Sequence, residues 1–287
     1  MKELLVLETV RKDAVWGYEL WTVSAHPHGD CIVKEGTYKG EHLSDLWQNH
    51  KELFGDIPGN QFPLLVKIIS AKSDLSVQVH PDDAYALKNE KGSLGKEEWW
   101  YILNEPDKGE LTLGHNAASR EEAENFIKEN RWNEFINRVP VKKEEVIHIL
   151  PGTIHSITGG MEVLEVQQNS DITYLLYDFD RKVNGQPREL HIDKSLDVLE
   201  IPDSSSARHY DAFPDGEFVA ENFTVAKMVI SNESAITVSD KFAVVSVIKG
   251  EGAIDGLEIK RGESIIVPAM YGIATLKGQF EILVSRP

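Results

Sequence analysis

The sequence predicts a mainly β protein, built as two antiparallel jelly-roll units with a few helices inserted. Short apolar or alternating runs recur along the chain, separated by turn residues. Helical periodicity is confined to two stretches. A strand–proline–turn–strand pattern also occurs twice. Residues 147–155 read "IHILPGTIH" and residues 264–272 read "SIIVPAMYG". Aligning Pro151 with Pro268 sets His155 against Gly272. The echo is either a duplication whose second copy lost its polar residue or a coincidence of a common pattern.

The elements follow in order. "ELWTVSA" (19–25) alternates weakly, and "GDCIVKEG" (29–36) reads as a strand ending in a turn-like glycine. "SDLWQNHKELFG" (44–55) reads as a helix. Ser44 is its N-cap, Leu46, Trp47 and Leu53 share a side, and Gly55 is the stop. "FPLLVKIISA" (62–71) is a buried strand that contains Lys67. In "LSVQVH" (75–80) an extended chain places Gln78 and His80 on one side, with Leu75, Val77 and Val79 on the other, before Pro81. "EEWWYIL" (97–103) is an aromatic-rich strand. "SREEAENFIKENRWNEFINRV" (119–139) is the clearest helix, with Ser119 and Glu122 as a capping box. Strands return from Val146. "DSSSARHYDAFPDGE" (203–217) is polar and turn-rich, the best linker candidate.

Composition bounds the function. A chain of 287 residues, 41% hydrophobic, can bury a sizeable core. The formal charge of -17 disfavours nonspecific binding to nucleic acid, though a local basic pocket stays possible. Cys31 is the single cysteine, which excludes an intrachain disulfide and a cysteine-based zinc site. No run reaches the ~20 apolar residues of a membrane span. A soluble cytoplasmic protein is the expectation, and its oligomeric state is left open.

Gln78, His80, Glu98 and His155 are candidate ligands for a divalent metal. A catalytic metal in a barrel takes three or four oxygen or nitrogen donors from different strands and keeps a position open. Such a set carries one negative charge against two positive, leaving a Lewis-acidic centre. Spacing alone only suggests this. Each of the ten histidines, taken singly, reads as a surface or hydrogen-bonded core residue. Lys67, Lys96 and Ser76 fall in the same region. Lysines there could simply snorkel to the surface. Buried beside a metal, they would favour an anionic substrate such as a sugar phosphate.

"FPLLVKIISAKSDLSVQVHPDDAYA", "GKEEWWYIL", "PGTIHSI" and "LEVQQNSDITY" together resemble the type I phosphomannose isomerase family in its shorter bacterial form. "AVWGYELWTVSAHPHG" and the later "YDFDR" and "PRELHIDKSLDV" belong to the same resemblance. It covers most of residues 14–200 in order and is most specific at "SVQVHPDDAYA". It implies a cupin fold, a zinc ion, and interconversion of mannose 6-phosphate and fructose 6-phosphate through a cis-enediol. It implies that Gln78, His80, Glu98 and His155 hold the zinc and that Lys67, Ser76 and Lys96 line the site. The expected division is a metal-binding domain with a helical insertion over residues 1–202 and a metal-free cupin-like domain over 203–287.

One position departs from the family pattern. After the "NSD" turn the family carries an arginine regarded as catalytic, where this chain has Leu175. Arg181 is the nearest arginine, but six extended residues span roughly 20 Å, so it substitutes only if the chain turns back. Arg188 and Lys182 are no better placed. Leu175 keeps alive the alternative of a noncatalytic or weakly active sugar-phosphate-binding cupin. A cupin dioxygenase is a second rival, using iron and typically a His-x-His pair, and Gln78 argues against it. The general base is not identified by the sequence.

Overall fold

The computed structural model describes residues 3–183 and 185–287. Most of its regular structure is strand, and five α-helices occur among the described residues. The chain forms two compact units, each assembled from separated segments. One comprises the residues up to Lys12, Leu20–Ile68 and Pro214–Pro287; the other comprises Asp13–Glu19 and Ile69–Phe213. The division expected at residues 202 and 203 ran along the chain, whereas the units interleave. The reason is pairing between the chain's two ends: Leu5 lies opposite Ile266 and Val6 opposite Ile265. The chain crosses from one unit to the other at 213 and 214, inside the stretch read as a linker.

In the unit containing Ile69–Phe213, one sheet has the order Tyr174–Tyr177, Val77–Val79, His155–Ser156, Glu110–His115 and Ile136–Pro140. A second carries, in order, His209–Tyr210, Val146–Ile149, Glu98–Asn104 and Glu162–Gln168. Leu111, Leu113 and Ile157 share one buried cluster with Trp100, Ile102, Ile147, Ile149 and Val163. The two sheets therefore face each other over a common core, as in a jelly roll. Helices cover the other face of the first sheet. There Val77 and Leu176 pack with Ala123 and Phe126 of the helix Arg120–Lys128 and with Leu196 of the helix Ile192–Val198.

The other unit is built on an eight-stranded antiparallel sheet. Its longest strand, Gly272–Arg286, pairs with Glu233–Val238 through residues 272–277 and with Thr224–Ile230 through residues 280–286. The change of partner falls at Gly278, where φ is +136° and an added Cβ would lie 2.8 Å from the Cα of Gly252. Glycine lets the strand bend there and lets two backbones close up. The echo seen in sequence is matched in structure. Strands Val146–Ile149 and Ser264–Val267 each end before a proline-containing turn, and the next strand begins at His155 in one case and at Gly272 in the other.

Several local expectations change. Residues 29–36 form no strand; only isolated bridges at Ile32 and Val33 occur. Ser44 lies inside the helix Leu43–Asn49, whose N-cap is His42. Asp30 does the capping from a distance, accepting from the Ser44 backbone N–H at 3.2 Å and from its hydroxyl at 2.5 Å. The helix expected over 119–139 breaks at Asn130, where φ is +56°, into Arg120–Lys128 and Trp132–Phe135, and a strand follows from Ile136. The Ser119 cap is present, with the Glu122 N–H donating to its hydroxyl at 3.2 Å.

Candidate functional site

The short strand Val77–Val79 sits at the middle of a row of side chains. Its register sets Gln78 opposite His155 on one neighbour and opposite Leu175 on the other. Directly opposed residues of an antiparallel pair project to the same face. Leu175, Gln78 and His155 are thus neighbours across three strands. Val77 points away, into the helix-covered cluster, while Leu75 joins the core between the sheets. The alternation expected over 75–80 therefore holds only for the strand itself. His80 follows the strand, and Pro81 has no N–H with which to extend the ladder. The His80 carbonyl accepts instead from the Gly152 N–H at 2.9 Å. Gly152 adopts φ +85°, and a Cβ there would lie 2.7 Å from the Val198 carbonyl, so the turn leading to His155 needs glycine. Glu98 opens the strand Glu98–Asn104 in the facing sheet.

These residues converge. His80 Nε2 lies 3.1 Å from one Glu98 oxygen, and His155 Nε2 lies 3.5 Å from the other. The Gln78 amide Nε2 is 3.2 Å from His155 Nε2. The candidate ligand atoms of His80, Glu98 and His155 all fall within 4.8 Å of one another, and all three residues are buried. Each ring is fixed from behind: His80 Nδ1 lies 2.8 Å from the Ile172 carbonyl, and His155 Nδ1 lies 2.9 Å from the Thr153 carbonyl. A carbonyl can only accept, so both rings carry their proton on Nδ1 and present the Nε2 lone pair to the cluster.

The charges suit a cation. Burial pushes the His80 pKa down to about 3, assisted by Lys96, so the imidazole is neutral. Burial opposes ionisation of Glu98, but the adjacent Lys96 ammonium outweighs it and holds the carboxyl well below its usual range. Lys96 Nζ lies 2.6 Å from Glu98 and 3.4 Å from His80 Nε2. Even so, both Glu98 oxygens are buried without a well-aligned hydrogen-bond donor. Two inward lone pairs, an under-satisfied carboxylate and an amide whose oxygen takes the place of its nitrogen on a 180° flip form a donor set that fits a divalent metal. A second group, Glu145, His209 and Asp211, is partly open, and its Glu145 oxygen already accepts from Lys142 N–H and His209 Nε2.

The other expected residues are distributed as follows. Ser76 and Lys96 are buried in the same unit as the cluster. Lys67 is buried in the strand Leu64–Ala71, within the segment Leu20–Ile68 of the other unit. The chain does turn back after Leu175, with positive φ at Phe179 and Asp180. Arg181 is nevertheless committed elsewhere: its guanidinium pairs with Asp178 and donates to the Asp74 carbonyl, and Arg188 also pairs with Asp178. Sequence reading missed Glu165, a buried carboxylate that accepts the Trp100 indole N–H at 2.8 Å. Trp100 meets the His155 ring edge to face at 5.4 Å. The sequence signal was there: Glu165 and Gln167 are polar residues two apart in an apolar strand.

Residues 9–118 match the model of the type I phosphomannose isomerase catalytic domain, and residues 215–287 match that of the mannose-6-phosphate isomerase cupin domain. Mannose-6-phosphate isomerase ManA of Bacillus subtilis (strain 168) is 39% identical over 312 residues, covering 99% of each chain. The chain belongs to the type I phosphomannose isomerase family. The mannose-6-phosphate isomerase of Streptococcus mutans is 40% identical over 278 residues, covering 93% of this chain and 88% of that one. The crystal structure of the Bacillus subtilis mannose 6-phosphate isomerase matches with a TM-score of 0.92 at 34% identity, over 99% of both chains. A phosphomannose isomerase from Salmonella typhimurium, 15% identical, shares the fold with a TM-score of 0.79. Membership of the phosphomannose isomerase family implies a metal, and His80, Glu98 and His155 form a cluster able to hold one. No helix among the described residues is long and apolar enough to cross a membrane.

Proposed function

We propose that the protein is a zinc-dependent mannose-6-phosphate isomerase that interconverts mannose 6-phosphate and fructose 6-phosphate. The observation that carries this reading is the convergence of His80, Glu98 and His155, each ring with its Nδ1 held by a carbonyl, in a chain related over its full length to isomerases of that substrate. Gln78 completes the ligand set through its amide oxygen. The ion is placed in the unit containing Ile69–Phe213 alone, because Gly272 stands where His155 does in the echoed segment. When bound, zinc supplies Lewis acidity toward the sugar's carbonyl and hydroxyl oxygens.

The chain's own residues perform the remaining tasks. Lys96 is buried beside the cluster and offers a positive charge to the oxygen on which negative charge develops as a proton moves between C1 and C2. The neutral state of His80 keeps that positive field from growing so large that the centre repels a metal. Lys67, Lys96 and Ser76 are assigned to the phosphorylated substrate, with the lysines favouring the anion. Leu175, on the same face as Gln78, offers an apolar wall where the family pattern has an arginine. A single buried cysteine suits a reducing cytoplasm.

The noncatalytic alternative gains no support from the named isomerases that match the whole chain. The deciding experiment is a coupled assay of zinc-loaded protein with mannose 6-phosphate. Formation of fructose 6-phosphate that is lost on chelation and restored by zinc supports the reading. Binding of the sugar phosphate with no turnover above background overturns it in favour of the noncatalytic cupin.

A further inference from the structure

We propose that Arg208 is a positioning residue for the metal centre: acting through Thr153, it holds the ring of His155 in its ligating orientation. The inference rests on the reading of His155 as a ligand. The stretch 203–217 reads in sequence as a linker, yet its residues 203–213 belong to the cluster's unit. Ser205–Arg208 forms a short 3-10 turn, and His209–Tyr210 pairs with Val146–Ile149, the strand that precedes the turn carrying Thr153 and His155.

The connection is continuous. One terminal nitrogen of Arg208 donates to Thr153 Oγ1 at 2.9 Å and to Glu200 at 3.0 Å, and the other donates to Ser204 Oγ at 2.7 Å. Ser204 in turn donates to the second Glu200 oxygen at 2.7 Å, so the guanidinium is fixed from two sides. Thr153 is 1% exposed, and its carbonyl accepts from His155 Nδ1. That contact sets the tautomer and aims Nε2 at Gln78 and Glu98. The same turn is gripped through its backbone, where the Glu200 N–H donates to the Gly152 carbonyl at 3.0 Å. Arg208 Nε is buried with no hydrogen-bond partner among the described residues. Keeping such an orphaned donor is costly, and an apolar side chain could fill the space without it. The two bonds to Glu200 and Thr153 give a reason for arginine at this position.

Partners that orient ligating histidines typically contribute 10–100-fold to metal affinity. Arg208 acts one residue further out, so about tenfold is expected. The test uses the full chain, stripped by chelation and titrated with Co2+, reading its absorption bands and Kd. Thr153→Val and Arg208→Gln should each weaken Co2+ binding about tenfold. The double variant should be no weaker than Arg208→Gln alone, because the bond lost in Thr153→Val is already lost there. Thr153→Ser should restore parent affinity. The rise in Tm on metal addition should shrink in the Thr153→Val and Arg208→Gln variants. Unchanged Kd and spectra in both, losses that multiply in the double variant, or a lower apo Tm with an unchanged metal-induced rise would each overturn the proposal. Should Arg208→Gln fail to fold, Thr153→Val reads the same contact. Parent-like Co2+ affinity in His155→Ala would instead overturn the metal-centre reading itself.

Discussion

Leucine at position 175 faces the same way as Gln78, is 8% exposed, and has neither charge nor donor. Arg181 and Arg188 are both bound to Asp178, so neither is available to supply a cation. Slow isomerisation by the unmodified protein is the expected outcome. Leu175→Arg should raise turnover, by up to the ~10²–10³ that a catalytic electrostatic donor commonly provides, with zinc content little changed. Turnover and Tm measured on that variant decide the matter. A slower, less stable protein would mean that the new charge is buried without a partner. His80→Ala should sharply reduce zinc per chain, because a neutral imidazole ligand is lost, and metal analysis of the purified variant checks this. That Gln78 and His80 belong to one candidate cluster was legible because they stand two apart in one short stretch. Arg208 was not, because it lies far from the cluster in sequence and its contacts are made only once the chain has folded. Glu165 stood out as a polar residue in an apolar strand, but its bond to Trp100 is made only once the strands have paired.

Between residue and molecule, the elements show where local rules gave way to distant partners. The Ser119 cap was readable because it is local, and Ser119→Ala should cost about 1 kcal/mol, measurable by denaturant unfolding. The cap on Leu43–Asn49 was misread because Asp30, thirteen residues upstream of Leu43, supplies the acceptors. The helix break at Asn130 was hidden because the apolar positions of 119–139 continue the periodicity across it, while Ile136 onward is claimed by a strand partner. Strands Ala243–Ile254 and Gly272–Arg286 yield a pH prediction. Lys249 lies directly opposite Glu281 in their ladder, at 2.8 Å, and Lys227 is 3.2 Å from the same carboxylate. The bond from Lys249 and the nearby charge of Lys227 lower the Glu281 pKa against the opposing effect of burial. A depressed carboxyl pKa stabilises the fold above the ordinary carboxylate value, and that stability is lost as pH falls toward the folded value. Glu281→Gln should therefore lower stability at pH 7 by about 0.5–1 kcal/mol and narrow its gap from the parent on acidification. Equal differences at pH 7 and pH 3 would refute it.

For the molecule as a whole, a bound metal should act as a ligand of the folded state. Chelation is expected to abolish turnover and lower Tm by about 4–5 °C, given the ~2.7 kcal/mol gained at a hundredfold excess over Kd and an unfolding entropy of ~2.1 cal/mol/K per residue. Secondary structure should persist without metal, since the Lys96–Glu98 contact remains, and circular dichroism after chelation tests that. The pairing of Leu5 and Val6 with Ile266 and Ile265 has a consequence for how the chain is made. During synthesis every residue of the unit ending at Phe213 has been polymerised before Pro214 is added. Residues 24–63 have no such advantage, because the later strands of their own unit lie at the opposite end of the message. Nascent chains halted near residue 250 should therefore resist protease over 69–213 while remaining open to it over 24–63. The segment translated among the first is thus among the last to be secured.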